Sequence, residues 1–347
     1  MPSHLPSHLP SHLLGATVQL HDLVRLRAEC GPWRHRARRT AASGGAQRTS
    51  RRGRGLEIEE IRAYQPSDDA RDIDWRVTAR KGRAHTKVYR EEREQPVMFA
   101  LDLRPPMAFG SRDRFKSVAL AELFALQAWA ALADEDRVGA VIASAQGIHN
   151  IAPQRGAATI LRLLAQVAQL TAATAGEQRR SRPDSTARLR TAGDQPVPPS
   201  IDALLTALSQ NTRAGHRSVV ISDFHDMTAT ASQRLQQLGR LGDTHCILVF
   251  DRLEEVLPPP GNYMLLAADG YTRLTLNSAD AGMRARYAAR MATRRMQLAT
   301  LGRQPRMRVD ELCVDEPATK IRTQRSALQP PHTQFTAASS PAAPTRG

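Results

Sequence analysis

Short apolar runs recur along the middle of the chain and are rich in Val, Ile, Leu and Ala. Runs of this kind predict strands that are buried on both faces, as in a parallel sheet. Two of the runs end in an aspartate, Asp102 and Asp223. The predicted strands span residues 96–103, 137–143, 217–223 and 245–251.

Longer segments with a helical spacing of apolar residues separate these strands. The repeated order of strand, helix and strand predicts right-handed crossovers and a doubly wound, mainly parallel α/β sheet. In such a sheet, ligands meet the carboxyl ends of the strands. The predicted helices span residues 114–133, 157–170, 201–210, 231–241 and 279–301.

The pattern weakens outside this region, which divides the chain into four parts. The first is a basic, low-complexity arm that we expect to be disordered apart from a short amphipathic helix at 17–29. A segment with two short strands follows, and then the α/β domain, in which the polar residues 171–200 predict a flexible loop. We expect the last part to be a mostly disordered tail. The four parts are residues 1–54, 55–95, 96–302 and 303–347.

Composition limits the class of protein. Of the 347 residues, 41% are hydrophobic but only 4% are aromatic, so the core must consist mainly of Ala, Leu, Val and Ile. Cys30, Cys246 and Cys313 form no CxxC pair, which indicates neither a disulfide framework nor a thiolate zinc site. No apolar stretch approaches the roughly 20 residues that span a bilayer. We therefore expect a cytoplasmic location.

The net charge of +15 raises the question of nucleic-acid binding, since clustered arginines neutralise phosphates. The arginines concentrate in the N-terminal arm, but no aromatic side chains that would stack bases are interleaved with them. A solvated basic arm is the preferred interpretation, and nucleic-acid binding is the alternative. The arginines concerned are Arg34, Arg36, Arg38, Arg39, Arg48, Arg51, Arg52 and Arg54.

Three copies of PSHL begin the chain and place His4, His8 and His12 four residues apart. That spacing would align the imidazoles on a helix, but the prolines between them prevent a helix from forming. We therefore do not expect this repeat to bind a metal.

The stretch YQPSDDARDIDWR, residues 64–76, combines four aspartates with two arginines and a tryptophan. Its spacing predicts ion pairs on a short helix, with Asp68 or Asp69 as the N-cap. Ile73 and Trp75 predict an apolar anchor. A structural clasp is the preferred interpretation, and a partner-recognition surface and a metal or catalytic role are the alternatives. The predicted pairs are Asp68–Arg71 and Asp72–Arg76.

The two aspartates at strand ends are the candidate chemical site. If their strands are neighbours, Asp102 and Asp223 would suit a hard divalent cation. Ser222, Asp223 and His225 are close in the sequence, which does not by itself establish a catalytic triad. The sequence contains no Walker, nucleophile-elbow, dinucleotide-binding or HExxH motif. It therefore predicts no cofactor.

A hallmark of the form Tyr-x-Pro-Gly-Asp-Asp-x-Arg-x-Ile-Asp-Trp is matched by Tyr64, Pro66, Asp68, Asp69, Arg71, Ile73, Asp74 and Trp75. The strand PVMFALDL follows at the corresponding spacing. Through these features, residues 17–300 resemble the family called domain of unknown function 58 (DUF58), whose fold is similar to a von Willebrand factor A domain. Ser67 stands where glycine is usual, which we expect to alter the turn more than the function.

The resemblance implies a degenerate metal-ion-dependent adhesion site. In such sites an Asp-x-Ser-x-Ser segment, a threonine and a second aspartate hold Mg²⁺. Asp102 and Asp223 match the two aspartates, and Thr159 is the candidate threonine. Arg104 and Pro106 replace the two serines, so two oxygen ligands are missing. A guanidinium near Asp102 or Asp223 would supply the positive charge internally, so we expect a pair between Arg104 and a carboxylate, or a solvent-exposed Arg104, instead of a bound metal.

The resemblance also implies a non-enzymatic adaptor or scaffold that acts with a MoxR-type AAA+ ATPase in the assembly or remodelling of another complex. We expect the partner surface at the strand-end loops, residues 102–107 and 223–226. Two alternatives remain open. One is nucleic-acid binding through the basic arm, and the other is a divalent-metal-dependent hydrolase that uses Asp102 and Asp223.

Overall fold

The computed structural model describes residues 15–33, 56–65, 68–91, 95–180, 198–266 and 273–323. In chain order its strands are β1 (Leu56–Ala63), β2 (His85–Glu91), β3 (Val97–Leu103), β4 (Val138–Ser144), β5 (Gly147–Gln154), β6 (Arg217–Ser222), β7 (Thr244–Phe250), β8 (Asn262–Leu266), β9 (Arg273–Asn277), β10 (Met307–Cys313) and β11 (Arg322–Thr323). Seven of them form a central sheet in the order β11-β10-β7-β6-β3-β4-β5. The inner five are parallel, and β5 and β11 are antiparallel at the two edges. The other strands form two hairpins, β1-β2 and β8-β9.

The helices are α1 (Leu20–Arg25), α2 (Trp75–Lys81), α3 (Lys116–Ala133), α4 (Ala157–Arg180), α5 (Ile201–Asn211), α6 (Ala229–Leu241), α7 (Arg252–Glu255) and α8 (Ala281–Gly302). Most of them cover the two faces of the central sheet, whereas α2 packs against the β1-β2 hairpin. α1, α3 and α4 pack on one face against Phe99 and Leu101 of β3. α5, α6 and α8 pack on the other face against Met98 and Ala100. Alternate residues of β3 thus belong to opposite cores, and the predicted α/β architecture is confirmed.

The strand order fixes where a site can form. From β3 the chain crosses to β4 on one side and later to β6 on the other, so the order reverses between β3 and β6. Doubly wound sheets bind ligands at this crevice, outside the carboxyl ends of the strands. Asp102 is the penultimate residue of β3 and Asp223 directly follows β6, so both lie at this edge. The arrangement is consistent with the von Willebrand A-like fold that the resemblance implies.

The helix predicted at 17–29 is shorter than expected and packs on the domain. α1 ends at Arg25, and a 3₁₀ turn continues it. Leu23 is fully buried, and the indole N–H of Trp129 on α3 donates to its carbonyl (3.0 Å). The PSHL histidines and the clustered arginines of the basic arm lie outside the described residues.

Part of the segment 171–200, which was expected to be a flexible loop, is helical. α4 continues to Arg180, and residues 181–197 lie outside the described part of the chain. Polar residues weaken the apolar pattern of the last helical turns. Two buried hydroxyls in these turns are satisfied within the helix, because Thr171 donates to the carbonyl of Ala168 (2.8 Å) and Thr174 donates to the carbonyl of Leu170 (2.8 Å).

The segment expected to begin the disordered tail supplies an inner strand of the sheet. β10 lies between β7 and β11, so the prediction for the tail is wrong over residues 307–323. The sequence of β10, MRVDELC, lacks a continuous apolar run because it contains buried charges. Asp310 is fully buried, lies 3.0 Å from Nε2 of His245 and pairs with Arg308 (2.6 Å).

Among the described helices, α3 is long and apolar enough to cross a membrane by length and composition. Most of it is buried between the sheet and its neighbours. Phe124 of α3 packs edge-to-face on Phe99 of β3, with 5.0 Å between the ring centroids. Core helices of soluble proteins can be equally long and apolar, so the length and composition of α3 are compatible with a soluble protein.

A chain that ends at residue 302 should fail to fold, because β7 would lose its parallel neighbour β10. A chain that ends at residue 323 should keep the cooperative unfolding of the full-length protein. Circular dichroism during thermal denaturation measures both. Equal melting curves for the two shortened chains would contradict the position of β10.

Candidate functional site

A completely buried aspartate lies at the carboxyl end of each of three strands of the central sheet. Asp102 is the penultimate residue of β3, and Asp223 and Asp251 directly follow β6 and β7. Burying a carboxylate is costly unless it is paired and hydrogen-bonded. Asp251, which the sequence analysis does not single out, accepts from the backbone N–H and the hydroxyl of Ser111 (2.8 and 2.6 Å). Cations surround the other two aspartates.

Arg104 joins two carboxylates. Its Nε and Nη2 donate to the two oxygens of Asp102 (both 2.8 Å). Its Nη1 and Nη2 donate to the two oxygens of Asp226 (2.6 and 2.9 Å), and Nη1 also donates to the carbonyl of Pro199 (3.1 Å). All five N–H donors of the guanidinium therefore have an acceptor. The side chain is only 4% exposed, and the predicted pair between Arg104 and a carboxylate is present.

The turn after β3 explains the position of Arg104. Pro105 and Pro106 begin a 3₁₀ helix, Pro105–Met107, and Arg104 is its N-cap residue. The two proline rings restrict the backbone of this turn. The backbone N–H of Arg104 donates to Oδ1 of Asp102 (3.2 Å), which fixes the turn against the strand end. Pro106 therefore supports the turn at a position where the resemblance would place a metal-ligating serine.

A second buried cation, Lys116, faces the other predicted aspartate. Its Nζ donates to Oδ2 of Asp223 (2.6 Å) and to Oε1 of Glu254 (2.9 Å). It also lies 5.7 Å from the centroid of the Phe109 ring. Lys116 is the first residue of α3 and is 1% exposed. The sequence analysis does not identify Lys116, although a single lysine at the start of a largely apolar helix could have indicated a buried cation.

The pKa values follow from these contacts. Burial disfavours both cations, but hydrogen bonds with Asp102 and Asp226 raise the pKa of Arg104 above its ordinary value. Burial is likewise outweighed at Lys116, where the charges of the neighbouring carboxylates raise the pKa. Burial would raise the pKa of Asp223, but the Lys116 ammonium holds it well below its usual range. Arg104, Lys116 and Asp223 therefore stay charged at neutral pH.

His225 adds a partly exposed imidazole to this edge. Its Nδ1 lies 2.8 Å from Oδ1 of Asp223, and its backbone N–H donates to the same oxygen (3.1 Å). Burial opposes protonation, but the hydrogen bond and the charge of Asp223 raise the pKa of His225. The hydroxyl of Ser222 donates to Oδ2 of Asp102 (2.6 Å) and not to the imidazole. Ser222, Asp223 and His225 therefore do not form a catalytic triad.

The residues at this edge do not fit a metal-ion-dependent adhesion site. Both oxygens of Asp102 and both oxygens of Asp223 already accept hydrogen bonds from the side chains named above. A divalent cation would have to displace a guanidinium or an ammonium group from the same lone pairs. Arg104 and Pro106 offer no side-chain oxygen in place of the two serines. Within the described part of the chain, no three His, Cys, Asp or Glu side chains form a metal-ligand group.

The structure places Thr159 away from this edge, which corrects its predicted match. Thr159 lies in the first turn of α4, after β5, and β5 runs antiparallel and ends at the opposite edge of the sheet. Its hydroxyl contacts the Gln154 side chain (3.5 Å). The buried threonine at the carboxyl edge is Thr174, whose hydroxyl lies 3.2 Å from the carbonyl of Leu103.

The connection between β3 and α3 supplies a third buried cation, Arg114. It donates to Oε2 of Glu122 (2.6 Å) and to the carbonyls of Val314 and Glu316 (2.8 and 2.7 Å). These bonds tie α3 to the turn that follows β10. The sequence analysis does not identify Arg114, although several basic residues between an apolar strand and an apolar helix were a usable signal.

The hallmark segment connects β1 to β2, and its ion pairs differ from the prediction. Asp68 pairs with Arg62 of β1 through two hydrogen bonds (2.7 and 2.9 Å), not with Arg71. Within the described residues, no ion pair joins Asp72 to Arg76. Half-buried side chains of the segment are those of Tyr64, Asp68, Asp72, Ile73 and Asp74.

Two caps hold the hallmark segment against the hairpin. Asp69 caps a 3₁₀ helix, as predicted, and Asp74 caps α2 by accepting from two backbone N–H groups (3.0 and 3.1 Å). The N–H of Asp74 donates to the carbonyl of His85 on β2 (2.8 Å). These contacts favour the structural clasp. Trp75 is 70% exposed, so the prediction that it anchors the segment is wrong. Residues 66–67 lie outside the described part.

The model of the family described as "Protein of unknown function DUF58" matches residues 60–297. The chain belongs to the DUF58 family. The matched region includes the hallmark segment and the residues at the carboxyl edge from Asp102 to Asp226, but it ends before β10.

Relatives of this DUF58 chain include uncharacterised proteins of Mycobacterium bovis and Mycobacterium tuberculosis. Each is 26% identical over 225 residues, which is 62% of this chain. The chain spans 62% of the length of these relatives.

Replacing Arg104 with Met should destabilise the protein by about 3–5 kcal/mol, because Asp102 and Asp226 would be left without their cation. The same substitution at Arg290, which is exposed on α8, should change the free energy of unfolding by less than about 0.5 kcal/mol. Urea denaturation of the two variants measures the difference. An equal loss at both positions would show that Arg104 does not hold the edge together.

The contact between His225 and Asp223 should contribute less to the free energy of unfolding at alkaline pH than at neutral or acidic pH. Its pKa is raised above the ordinary 6.5, so the contact with Asp223 contributes fully below that pH and is lost as the pH rises through the folded-state value. The wild type should therefore exceed His225→Ala in free energy of unfolding by more at about pH 6 than at about pH 9. Urea denaturation at both pH values measures this, and a constant difference would refute it.

Proposed function

We propose that this DUF58 protein is a non-enzymatic adaptor or scaffold that acts through contacts with other proteins. A MoxR-type AAA+ ATPase is the proposed partner, because the family resemblance implies it. The client would be another protein complex that is assembled or remodelled. A cytoplasmic location is part of the proposal.

The charge balance of the carboxyl edge is the observation that carries the proposal. The switch point of a doubly wound sheet is where an enzyme of this class holds its substrate or cofactor. Here Arg104 and Lys116 lie in that position, and buried carboxylates accept the hydrogen bonds of both. Groups that satisfy one another in this way are not available to stabilise charge that develops on a substrate. The edge is better suited to holding loops in place than to chemistry.

The loops above this edge would form the partner surface. The 3₁₀ helix Pro105–Met107 leaves both prolines partly exposed, and the His225 side chain is 30% exposed. Buried ion pairs fix the backbone beneath both loops. A surface that is already ordered loses little conformational entropy when a partner binds, which favours affinity.

An immobilised MoxR-type ATPase should retain the purified protein in at least one nucleotide state. His225→Ala should weaken the binding about tenfold, as truncation does at an interface residue that carries a large share of the binding energy. His21→Ala is the matched control, because the His21 side chain is 66% exposed on α1, away from the edge. Biolayer interferometry with ATP, with ADP and without nucleotide measures the affinities.

Two outcomes would contradict the proposal. One is a failure to bind the ATPase in any nucleotide state. The other is binding to DNA or RNA that weakens steeply with salt and disappears when residues 1–54 are removed, since that result would favour the nucleic-acid alternative.

A further inference from the structure

Trp75 is the most unusual exposed side chain of the hallmark segment. The protein contains three tryptophans, and Trp33 and Trp129 are 4% and 2% exposed. Trp75 is 70% exposed, although it lies in the segment that clasps β1 to β2. An exposed tryptophan on a rigid element is typical of a binding hot spot.

The helix that carries Trp75 is fixed in place. Asp74 caps its first turn, and Gly82 ends it in a left-handed conformation with φ of 68°. The hydroxyl of Thr78 accepts the backbone N–H of His85 on β2 (3.0 Å), which joins the helix to the hairpin. Trp75 is therefore presented from an ordered base and not from a loose loop.

One face of α2 combines this indole with positive charge. Helical geometry places Ala79 next to Trp75, and Arg76 and Arg80 next to each other on the adjoining strip. All four residues are exposed. The small side chain of Ala79 leaves the neighbouring surface of the indole open. We call Trp75, Arg76, Ala79 and Arg80 the Trp75 face.

The charged residues of α2 and of the turn after it are all basic. Residues 75–83, WRVTARKGR, contain four basic residues and no acidic residue, and all four basic residues are exposed. Three of the aspartates that precede Trp75 have other contacts, because Asp74 caps α2, Asp69 caps the 3₁₀ helix and Asp68 pairs with Arg62. Within the described residues, no carboxylate pairs with Arg76 or Arg80.

We propose that the Trp75 face is a docking surface for an acidic segment of a partner protein. Carboxylates of the segment would pair with Arg76 and Arg80, and an apolar side chain would cover the indole of Trp75. A protein segment fits better than single-stranded nucleic acid, which stacks successive bases on several aromatic rings. Trp75 is the one aromatic ring among the large apolar side chains that are exposed in the described residues. The inference rests on the proposed function only in that the protein acts by binding another protein.

The fluorescence of Trp75 can be used to measure binding to this face. A neutral quencher such as acrylamide reaches an exposed indole but not the two buried ones, so the quenching of the full-length protein reports on Trp75. A Glu-rich peptide with spaced leucines should protect Trp75 from quenching, and the same peptide with Gln in place of Glu should not. Added salt should weaken the protection, because the pairs are exposed. Stronger protection by oligo-dT than by the acidic peptide would overturn the proposal.

Charge-reversal variants separate this face from the general positive charge of the protein. Arg76→Glu/Arg80→Glu should weaken binding of the dye-labelled acidic peptide roughly tenfold or more, measured by fluorescence anisotropy. Arg286→Glu/Arg290→Glu is the matched control, since these exposed arginines have the same spacing on α8. Trp75→Ala should also weaken binding, whereas Met296→Ala, which alters a side chain that is 68% exposed, should not. Equal effects of the two double variants would refute the proposal.

Failure of this inference can be told apart from failure of the proposed function. If the peptide binds the Trp75 face but no MoxR-type ATPase is retained, the docking surface stands and the proposed partner is wrong. If the ATPase binds Trp75→Ala as tightly as it binds the wild type, the ATPase does not dock on the Trp75 face. The proposed partner would then stand without this docking surface.

Discussion

Two buried cations, Arg104 and Lys116, determine how the carboxyl edge of the central sheet is built. The strand order brings Asp102 and Asp223 to one buried edge, and carboxylates repel each other strongly where the dielectric constant is low. Arg104 links the end of β3 to Asp226 in the loop after β6. Lys116 links the start of α3 to that same loop and to α7. The topology that gathers the acids therefore requires the cations as well.

The same ion pairs occupy the crevice where sheets of this kind bind ligands, and they fix the loops around it. A buried ion pair adds little net stability, because desolvation offsets much of its attraction, yet removing one partner is strongly destabilising. At this edge the bonds of Arg104 and Lys116 hold the connecting loops in one arrangement. Phe224, between the two charged networks, adopts a left-handed conformation with φ of 49°, which is strained for a phenylalanine. The surrounding contacts hold this strain, so the loop after β6 is kept in one conformation.

Local spacing was enough to predict the strands that are apolar throughout, and it failed where buried polar groups find partners far away in the sequence. β3 reads as an apolar run with one aspartate near its end, whereas β10 carries Arg308, Asp310 and Glu311. The buried Asp310 pairs with Arg308 on the same strand and also lies 3.0 Å from Nε2 of His245 on β7, a contact that only the fold creates. Arg104 lies two residues from Asp102, so their pairing was predictable. Lys116 meets Asp223 across 107 residues, and only the fold brings them together.

A crystal structure of the protein grown with excess Mn²⁺ tests the central claim most directly, because anomalous scattering would identify a bound ion. We expect the Arg104 guanidinium to lie between Asp102 and Asp226, with no ion on these carboxylates. A metal ion coordinated by Asp102 and Asp223, with Arg104 turned out to solvent, would contradict it.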